Sequence, residues 1–132
     1  MKGLRRQGWW ALALVLVAGC QAAPKRMEAL DGTLQIYDQA VRWGRIEAVY
    51  GFLRPDAEQP TEIPERFRRI RVTGYDIVQP PLMSDELHCT QVVEIRYYDT
   101  DYAREQTVLD RQRWEYDEAQ QRWYLVSGPP PF

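Results

Sequence analysis

Apolar residues recur at the helical period from Leu30 to Trp43. Two adjoining stripes share this period, formed by Leu30, Leu34, Tyr37 and Val41 and by Ile36, Ala40 and Trp43. Together they cover about half of a helix circumference, which predicts a helix that is buried on more than one flank. A shorter second helix is predicted over Ile46, Val49, Tyr50 and Leu53. Gly44 supplies the left-handed residue between the two helices, and Arg54-Pro55 ends the second.

From Phe67 onward, Val, Ile, Thr, Tyr and Trp alternate with polar residues, a pattern typical of strands. It predicts strands over residues 69–78, 87–98, 105–116 and 122–127, with Pro80-Pro81 ending the first. The apolar parity changes near Gly74, which predicts a bulge there. Short turns join the strands, so the sheet should be antiparallel. The pattern therefore predicts one α+β domain over residues 28–132, with N-terminal helices packed on a four-stranded sheet.

Several short segments of this pattern carry a family resemblance. They are Trp43-Gly44 before the second helix, Val72-Thr73-Gly74-Tyr75, Trp114-Glu115-Tyr116 and Trp123-Tyr124-Leu125. In this order, residues 28–127 resemble the nuclear-transport-factor-two-like (cystatin-like) superfamily. The resemblance implies a curved sheet wrapped around the first helix as a cone, often with a pocket inside. Some members use that pocket for acid–base chemistry and many only bind ligands or partners, so the fold does not choose between these functions.

The N-terminus has the order of a secretory signal. Lys2, Arg5 and Arg6 precede the apolar run 9–17, which is shorter than the roughly 20 residues that a membrane-spanning helix needs. The segment Val17-Ala18-Gly19-Cys20 then resembles the lipobox of bacterial lipoproteins. The resemblance implies cleavage between Gly19 and Cys20 and lipid on the Cys20 thiol. We therefore expect a signal peptide over residues 1–19 and a lipidated tether over residues 20–27.

The anchor also predicts a location. Gln21 follows Cys20, at the position where the lipoprotein sorting rule associates aspartate with retention in the inner membrane. We therefore expect the protein at the outer membrane, facing the periplasm. An extended tether of this length reaches about 25 Å at roughly 3.5 Å per residue, which keeps the domain near the bilayer.

The net charge and the cysteine count of the mature chain argue against nucleic-acid binding and against an internal disulfide. Three of the 17 Lys and Arg residues lie in the signal and no acid does, so the mature chain has 14 basic and 19 acidic side chains and a formal charge of −5. An acidic domain is a poor nucleic-acid binder. Cys89 is the single thiol left after lipidation, so no disulfide can form within the mature chain, and we expect it to be a small buried packing residue.

The third predicted strand carries the candidate for acid–base chemistry. Asp110 and Gln112 share a face with Trp114, and Tyr37 of the first helix can lie opposite them. If this face turns inward, the four residues form a pocket in which Asp110 is a general base and Tyr37 or Gln112 a donor. If the centre and the end of the strand differ in exposure, or if the strand-one bulge shifts the register, Asp110 faces solvent. We expect the solvent-facing arrangement.

Two further features have ordinary explanations. His88 has the parity of Glu94 and Arg96, which predicts solvent exposure, and a single histidine does not supply the three or four grouped ligands of a metal site. We predict no metal and no cofactor. The basic segment from Arg66 to Arg71 can contact anionic headgroups, or it can be a charged strand edge that discourages aggregation. We expect the charged edge.

These observations together predict a membrane-anchored periplasmic lipoprotein whose domain is a non-enzymatic binding or interaction module. Its partners would be the membrane, through lipid on Cys20, and an envelope protein or a small ligand. The alternative is a periplasmic enzyme or small-ligand binder that uses a cone-shaped pocket with Asp110 as the base.

Overall fold

The computed structural model of the protein describes Gly3, residues 19–55 and residues 61–132, with side chains from Ala22 onward in the second of these ranges. Apart from Gly3 and Gly19, the predicted signal peptide, including Val17 and Ala18 of the lipobox, lies outside the described residues, and so does the side chain of Cys20.

The chain forms two helices followed by four strands. The elements are α1 Gly19–Arg42, α2 Ile46–Tyr50, a 3-10 turn Glu65–Arg69, β1 Ile70–Met83, β2 His88–Asp99, β3 Glu105–Asp117 and β4 Arg122–Leu125. Every neighbouring pair of strands is antiparallel, and the sheet keeps the chain order β1-β2-β3-β4 without closing into a barrel. The predicted α+β class, with the N-terminal helix packed on a four-stranded antiparallel sheet, is confirmed.

Helix α1 is buried on one flank rather than two. Leu30, Tyr37 and Val41 are buried as predicted, and so is Ala40. Ile36 and Trp43 are 59% and 75% exposed, so the prediction of a second buried stripe was wrong for both. At 100° per residue Ile36 lies about 120° away from Leu30 around the helix axis, beyond the reach of a sheet that covers only one side.

Helix α1 also begins earlier than the apolar pattern predicts. It starts at Gly19 rather than near Leu30, so the segment 20–27 is helical and not extended. At about 1.5 Å per residue, Cys20 and Met27 are about 10 Å apart along the axis instead of 25 Å. Alanine, lysine, arginine, methionine and glutamate dominate residues 22–29, and all are good helix formers.

Tertiary contacts hold this early part of the helix to the domain. The indole Nε1–H of Trp123 donates to the carbonyl oxygen of Arg26 at 2.9 Å, and the Arg26 guanidinium forms a 2.8 Å ion pair with Glu86. The segment that we expected to be an extended tether is therefore helical, and Arg26 near its end is held against the domain.

The second helix is shorter than predicted. It ends at Tyr50, after which Leu53 forms a bridge with Leu125 of β4 instead of continuing the helix. Leu53 is still buried, as its spacing predicted. Gly44, between the helices, has a φ of 62° and is the left-handed residue that we expected there.

Strand β1 confirms two predictions and corrects one. The register with β2 shifts between Val72 and Gly74, so the bulge is present, and it turns Tyr75 into the core. Ile77 lies opposite the buried Val93 and so shares the face of Tyr75 as predicted, but it is 55% exposed because it lies on the outermost strand. The strand continues through Pro80-Pro81 to Met83. Proline is tolerated on an edge strand because its missing N–H can face the side without a partner.

Strands β2 and β3 show the predicted alternation of buried and exposed residues. On β2, Cys89, Val93, Ile95 and Tyr97 are buried. Strand β4 ends at Leu125, two residues before the predicted end. Trp114 of β3 and Trp123 of β4 are each 1% exposed, so the core lies between the inner face of the sheet and helix α1.

Candidate functional site

Asp110 lies inside the domain, and our expectation that it faces solvent was wrong. Asp110 is 4% exposed, and it pairs with Val93 of β2, which is completely buried. Residues directly opposite each other in a sheet share a face, so Asp110 enters the core beside Gln112 and Trp114. The bulge that could have shifted the register is in β1, whereas the pairing of β2 with β3 runs without a shift.

Gln112 is the centre of a buried hydrogen-bond cluster. Its Nε2 donates to Asp110 Oδ2 at 2.9 Å and to the Tyr75 hydroxyl at 3.0 Å. Its Oε1 accepts from Gln91 Nε2 at 2.7 Å and from Trp114 Nε1 at 3.2 Å. Both protons and both lone pairs of the amide are thus used. We call these five residues, together with Tyr37, the Gln112 cluster.

Burial sets the protonation states in the cluster. It raises the pKa of Asp110 to about 6, and the hydrogen bond from Gln112 partly opposes that rise. Burial, followed by the nearby charge of Asp110, raises the pKa of Tyr37 well above its ordinary value. Burial also raises the pKa of Tyr75. At neutral pH the cluster therefore holds one carboxylate, largely ionised, among protonated tyrosines.

Tyr37 lies where the sequence predicted, facing the third strand. Its ring packs edge-on against Trp114 at 5.1 Å and against Phe52 at 5.3 Å between ring centres. Its hydroxyl has no hydrogen-bond partner among the described residues, and neither does Oε1 of Gln91. A buried polar atom without a partner costs about 1–3 kcal/mol. The cluster thus keeps one unused donor and one unused acceptor.

The four predicted pocket residues Tyr37, Asp110, Gln112 and Trp114 are therefore close together, but two members of the cluster were missed. Gln91 is 2% exposed and Tyr75 is 2% exposed. The signal for Gln91 was present in the sequence, because it has the parity of Cys89 and Val93 on β2. Tyr75 could be placed only once the bulge had fixed which way it points.

Acid–base chemistry needs a substrate within hydrogen-bond distance of the base. Four clefts lined by described residues lie elsewhere on the domain and do not include Asp110. The largest has a volume of about 580 Å³ and lies between the end of α1 and the start of β1. We call it the distal cleft, because it is at the opposite end of α1 from Cys20. Its lining residues are Arg42, Trp43, Gly44, Ile46, Glu47, Arg68, Ile70, Arg71 and Val72.

A second cleft, of about 320 Å³, lies at the other end of α1. It is lined by Ala23, Arg26, Met27 and residues 83–86. Met27 is 42% exposed and Leu82, just before this hairpin, is 60% exposed. Apolar side chains are therefore exposed at the end of the domain that is nearest to Cys20.

His88 and Cys89 have structural surroundings. His88 is exposed, as its parity predicted, and its Nδ1 is 2.7 Å from Asp85 Oδ1. Cys89 is 1% exposed, and burial raises the pKa of its thiol, which makes it a poor nucleophile. Within residues 19–55 and 61–132, no three His, Cys, Asp or Glu side chains are grouped so that they could hold a metal ion.

Comparisons with models of known protein families, with curated proteins and with solved structures find no match to this chain. The resemblances to the lipoprotein signal and to the nuclear-transport-factor-two-like superfamily stay predictions. No helix in the described part of the chain has the length and apolar character needed to cross a membrane.

Proposed function

We propose that this protein is an envelope lipoprotein, anchored at the outer membrane through lipid on Cys20, whose domain binds a partner in the periplasm without catalysis. The observation that carries the proposal is the order of basic residues, apolar run, small residues and cysteine at the N-terminus. A single acyl chain binds a membrane reversibly, whereas two or three hold a protein firmly.

The anchor is tested by feeding cells labelled palmitate and comparing the native protein with Cys20→Ala. We expect label in the native protein and none in the variant. A Cys89→Ala variant is the matched control, because it removes the other cysteine and should label normally. Equal labelling of the native protein and Cys20→Ala contradicts the proposed anchor.

The binding role is supported by how the domain distributes its polar groups. The one strongly perturbed carboxylate, among the residues described, belongs to Asp110, which is enclosed and already hydrogen-bonded to Gln112. The distal cleft is lined instead by arginine, tryptophan, glycine and apolar side chains, with a single carboxylate, that of Glu47. Such surfaces suit recognition, because Trp and Arg contribute most to protein interfaces.

One observation favours the alternative function. Asp110 has a pKa of about 6 and lies in a cluster where Tyr37 has an unused hydroxyl, which is the combination that a proton-transferring site needs. A small ligand reaching it would have to enter the core. A thermal-shift screen of small carbonyl and carboxylic compounds tests this function. Stabilisation that disappears in Asp110→Asn and persists in Arg111→Ala would support it, and stabilisation that is equal in both would oppose it.

A further inference from the structure

Helix α1 ends with a tryptophan in solvent beside several guanidinium groups. Trp43 is 75% exposed, and Arg42, Arg68 and Arg71 line the same cleft. Large aromatic side chains usually bury most of their surface, so an exposed tryptophan marks a surface that something else can cover. Ile46, Ile70 and Val72 add apolar side chains to the lining of the cleft.

The guanidinium groups of the distal cleft differ in their partners. Arg68 pairs with Glu47 at 2.6 Å and with Glu65 at 3.6 Å. Arg42 pairs with Asp38 and donates to the carbonyl oxygen of Tyr75.

Arg71 is different because its hydrogen bonds go to backbone oxygens. Its Nη1 donates to the carbonyl oxygens of Arg68 and Ile70, both at 2.9 Å. Among the described residues, no carboxylate pairs with Arg71. Its guanidinium therefore leaves uncompensated positive charge in the distal cleft.

The net charge of the chain makes the distal cleft selective for where an anionic partner binds. The mature sequence carries a formal charge of −5, so the domain as a whole repels an anionic partner, and the unpaired guanidinium of Arg71 attracts it locally. Guanidinium groups match carboxylates in geometry and can bind them through two parallel hydrogen bonds.

We propose that the distal cleft binds an acidic peptide segment of another envelope protein, with a carboxylate on Arg71 and an apolar side chain against Trp43. The location in the envelope rests on the proposed function, whereas the binding does not need the lipid. A peptide fits better than a lipid headgroup because the exposed indole and the apolar lining residues offer contacts that a phosphate cannot use. Helix α1 also places the cleft about 35 Å from its own N-terminus, since 24 residues rise about 1.5 Å each.

The test uses the mature lipidated protein in detergent micelles, with a short peptide of alternating Glu and Leu as the probe. Its control is the same peptide with Gln in place of Glu. Trp114 and Trp123 are 1% exposed, so acrylamide quenching of the mature chain reports on Trp43. We expect the Glu peptide to protect Trp43 and the Gln peptide to leave it accessible. Equal protection by both peptides, or by neither, overturns the proposal.

Variants locate the binding. Arg71→Ala should weaken the binding of the Glu peptide about tenfold, which is the effect of losing one charge-assisted contact. Calorimetry measures this change in affinity. Trp43→Ala should weaken the binding as well, and because the Trp43 side chain is exposed, this variant should keep the native melting temperature. Arg111→Ala is the matched control, an exposed arginine on β3 with no side-chain bond in the described structure, and should bind normally. An equal loss in Arg111→Ala means non-specific charge attraction and overturns the site.

Two further outcomes separate the alternatives. Protection of Trp43 by vesicles containing phosphatidylglycerol, without protection by the Glu peptide, assigns the cleft to lipid headgroups and overturns the peptide proposal. If palmitate labelling fails while Arg71-dependent peptide binding persists, the anchor is wrong and the binding site stands.

Discussion

The Nε2 of Gln112 lies 2.9 Å from Oδ2 of Asp110, so a neutral amide hydrogen-bonds a carboxylate that is almost completely buried. The hydrogen bond favours the ionised acid and burial disfavours it. Burial has the larger effect, which is why the pKa rises to about 6. No cation offsets the charge within the Gln112 cluster, so the domain retains a buried group that destabilises it at neutral pH.

We therefore predict that Asp110→Asn stabilises the protein at pH 7. The ordinary pKa of the carboxyl is 3.8 and the folded value is about 6, so below pH 3.8 it is protonated in both states and costs nothing. As the pH rises toward 6, the unfolded chain ionises first, and the folded state loses about 3 kcal/mol that the asparagine variant keeps.

Urea unfolding of both proteins at intervals from pH 4 to pH 7 measures this difference directly. The gap between the two free energies of unfolding should open across this range and then level off above pH 6. Other carboxylates, such as Asp99 and Asp85, have lowered pKa values and affect both proteins equally. Two parallel curves would show that Asp110 does not have a raised pKa.

The inward direction of Asp110 shows what single-strand parity can and cannot predict. Parity correctly placed Asp110, Gln112 and Trp114 on one face, and it separated the buried side of β2 from His88. It could not say which face of β3 turns inward, because that depends on pairing with Val93 on another strand. A buried acid also contradicts the simple expectation that charged residues face solvent, so sequence reasoning chose the wrong side.

The predicted bounds of the helices were wrong for a different reason. The apolar stripe of α1 starts at Leu30 because the turns before it cover less of the core, although the helix begins at Gly19. The contact that holds those turns, from Trp123 to Arg26, joins residues that are 97 positions apart. No local pattern predicts such a contact. The exposure of Ile36 and Trp43 is likewise decided by where the sheet ends.

Two tyrosines of the Gln112 cluster provide a matched test of hydrogen bonding in the core. The Tyr37 hydroxyl has no partner among the described residues, so Tyr37→Phe should be neutral or stabilise the fold by up to about 1 kcal/mol. The Tyr75 hydroxyl accepts from Gln112, so Tyr75→Phe should destabilise by about 1–2 kcal/mol. Chemical unfolding at one pH compares them. A larger loss in Tyr37→Phe than in Tyr75→Phe would mean that Tyr37 has a partner of its own.

Two glycines provide a matched test of backbone conformation. Gly44 has a left-handed φ of 62°, and a Cβ there would meet nothing closer than 4.0 Å. The cost of Gly44→Ala is therefore conformational, and we expect about 1 kcal/mol of destabilisation. Gly32 lies inside α1 with open space around its Cα, so Gly32→Ala should stabilise by up to about 1 kcal/mol. Thermal unfolding of both variants should shift in opposite directions, and shifts of the same sign would contradict this account.

The last prediction concerns the segment between the proposed anchor and the core. Because Trp123 holds the carbonyl oxygen of Arg26, amides of residues 26–30 should be protected from hydrogen exchange in the native protein. Trp123→Phe removes the donor and should speed their exchange about fivefold, the effect of losing roughly 1 kcal/mol. Trp114→Phe is the control, because its indole donates to Gln112 instead. Fast exchange of these amides in the native protein would mean an extended tether, and a domain free to rotate about its anchor.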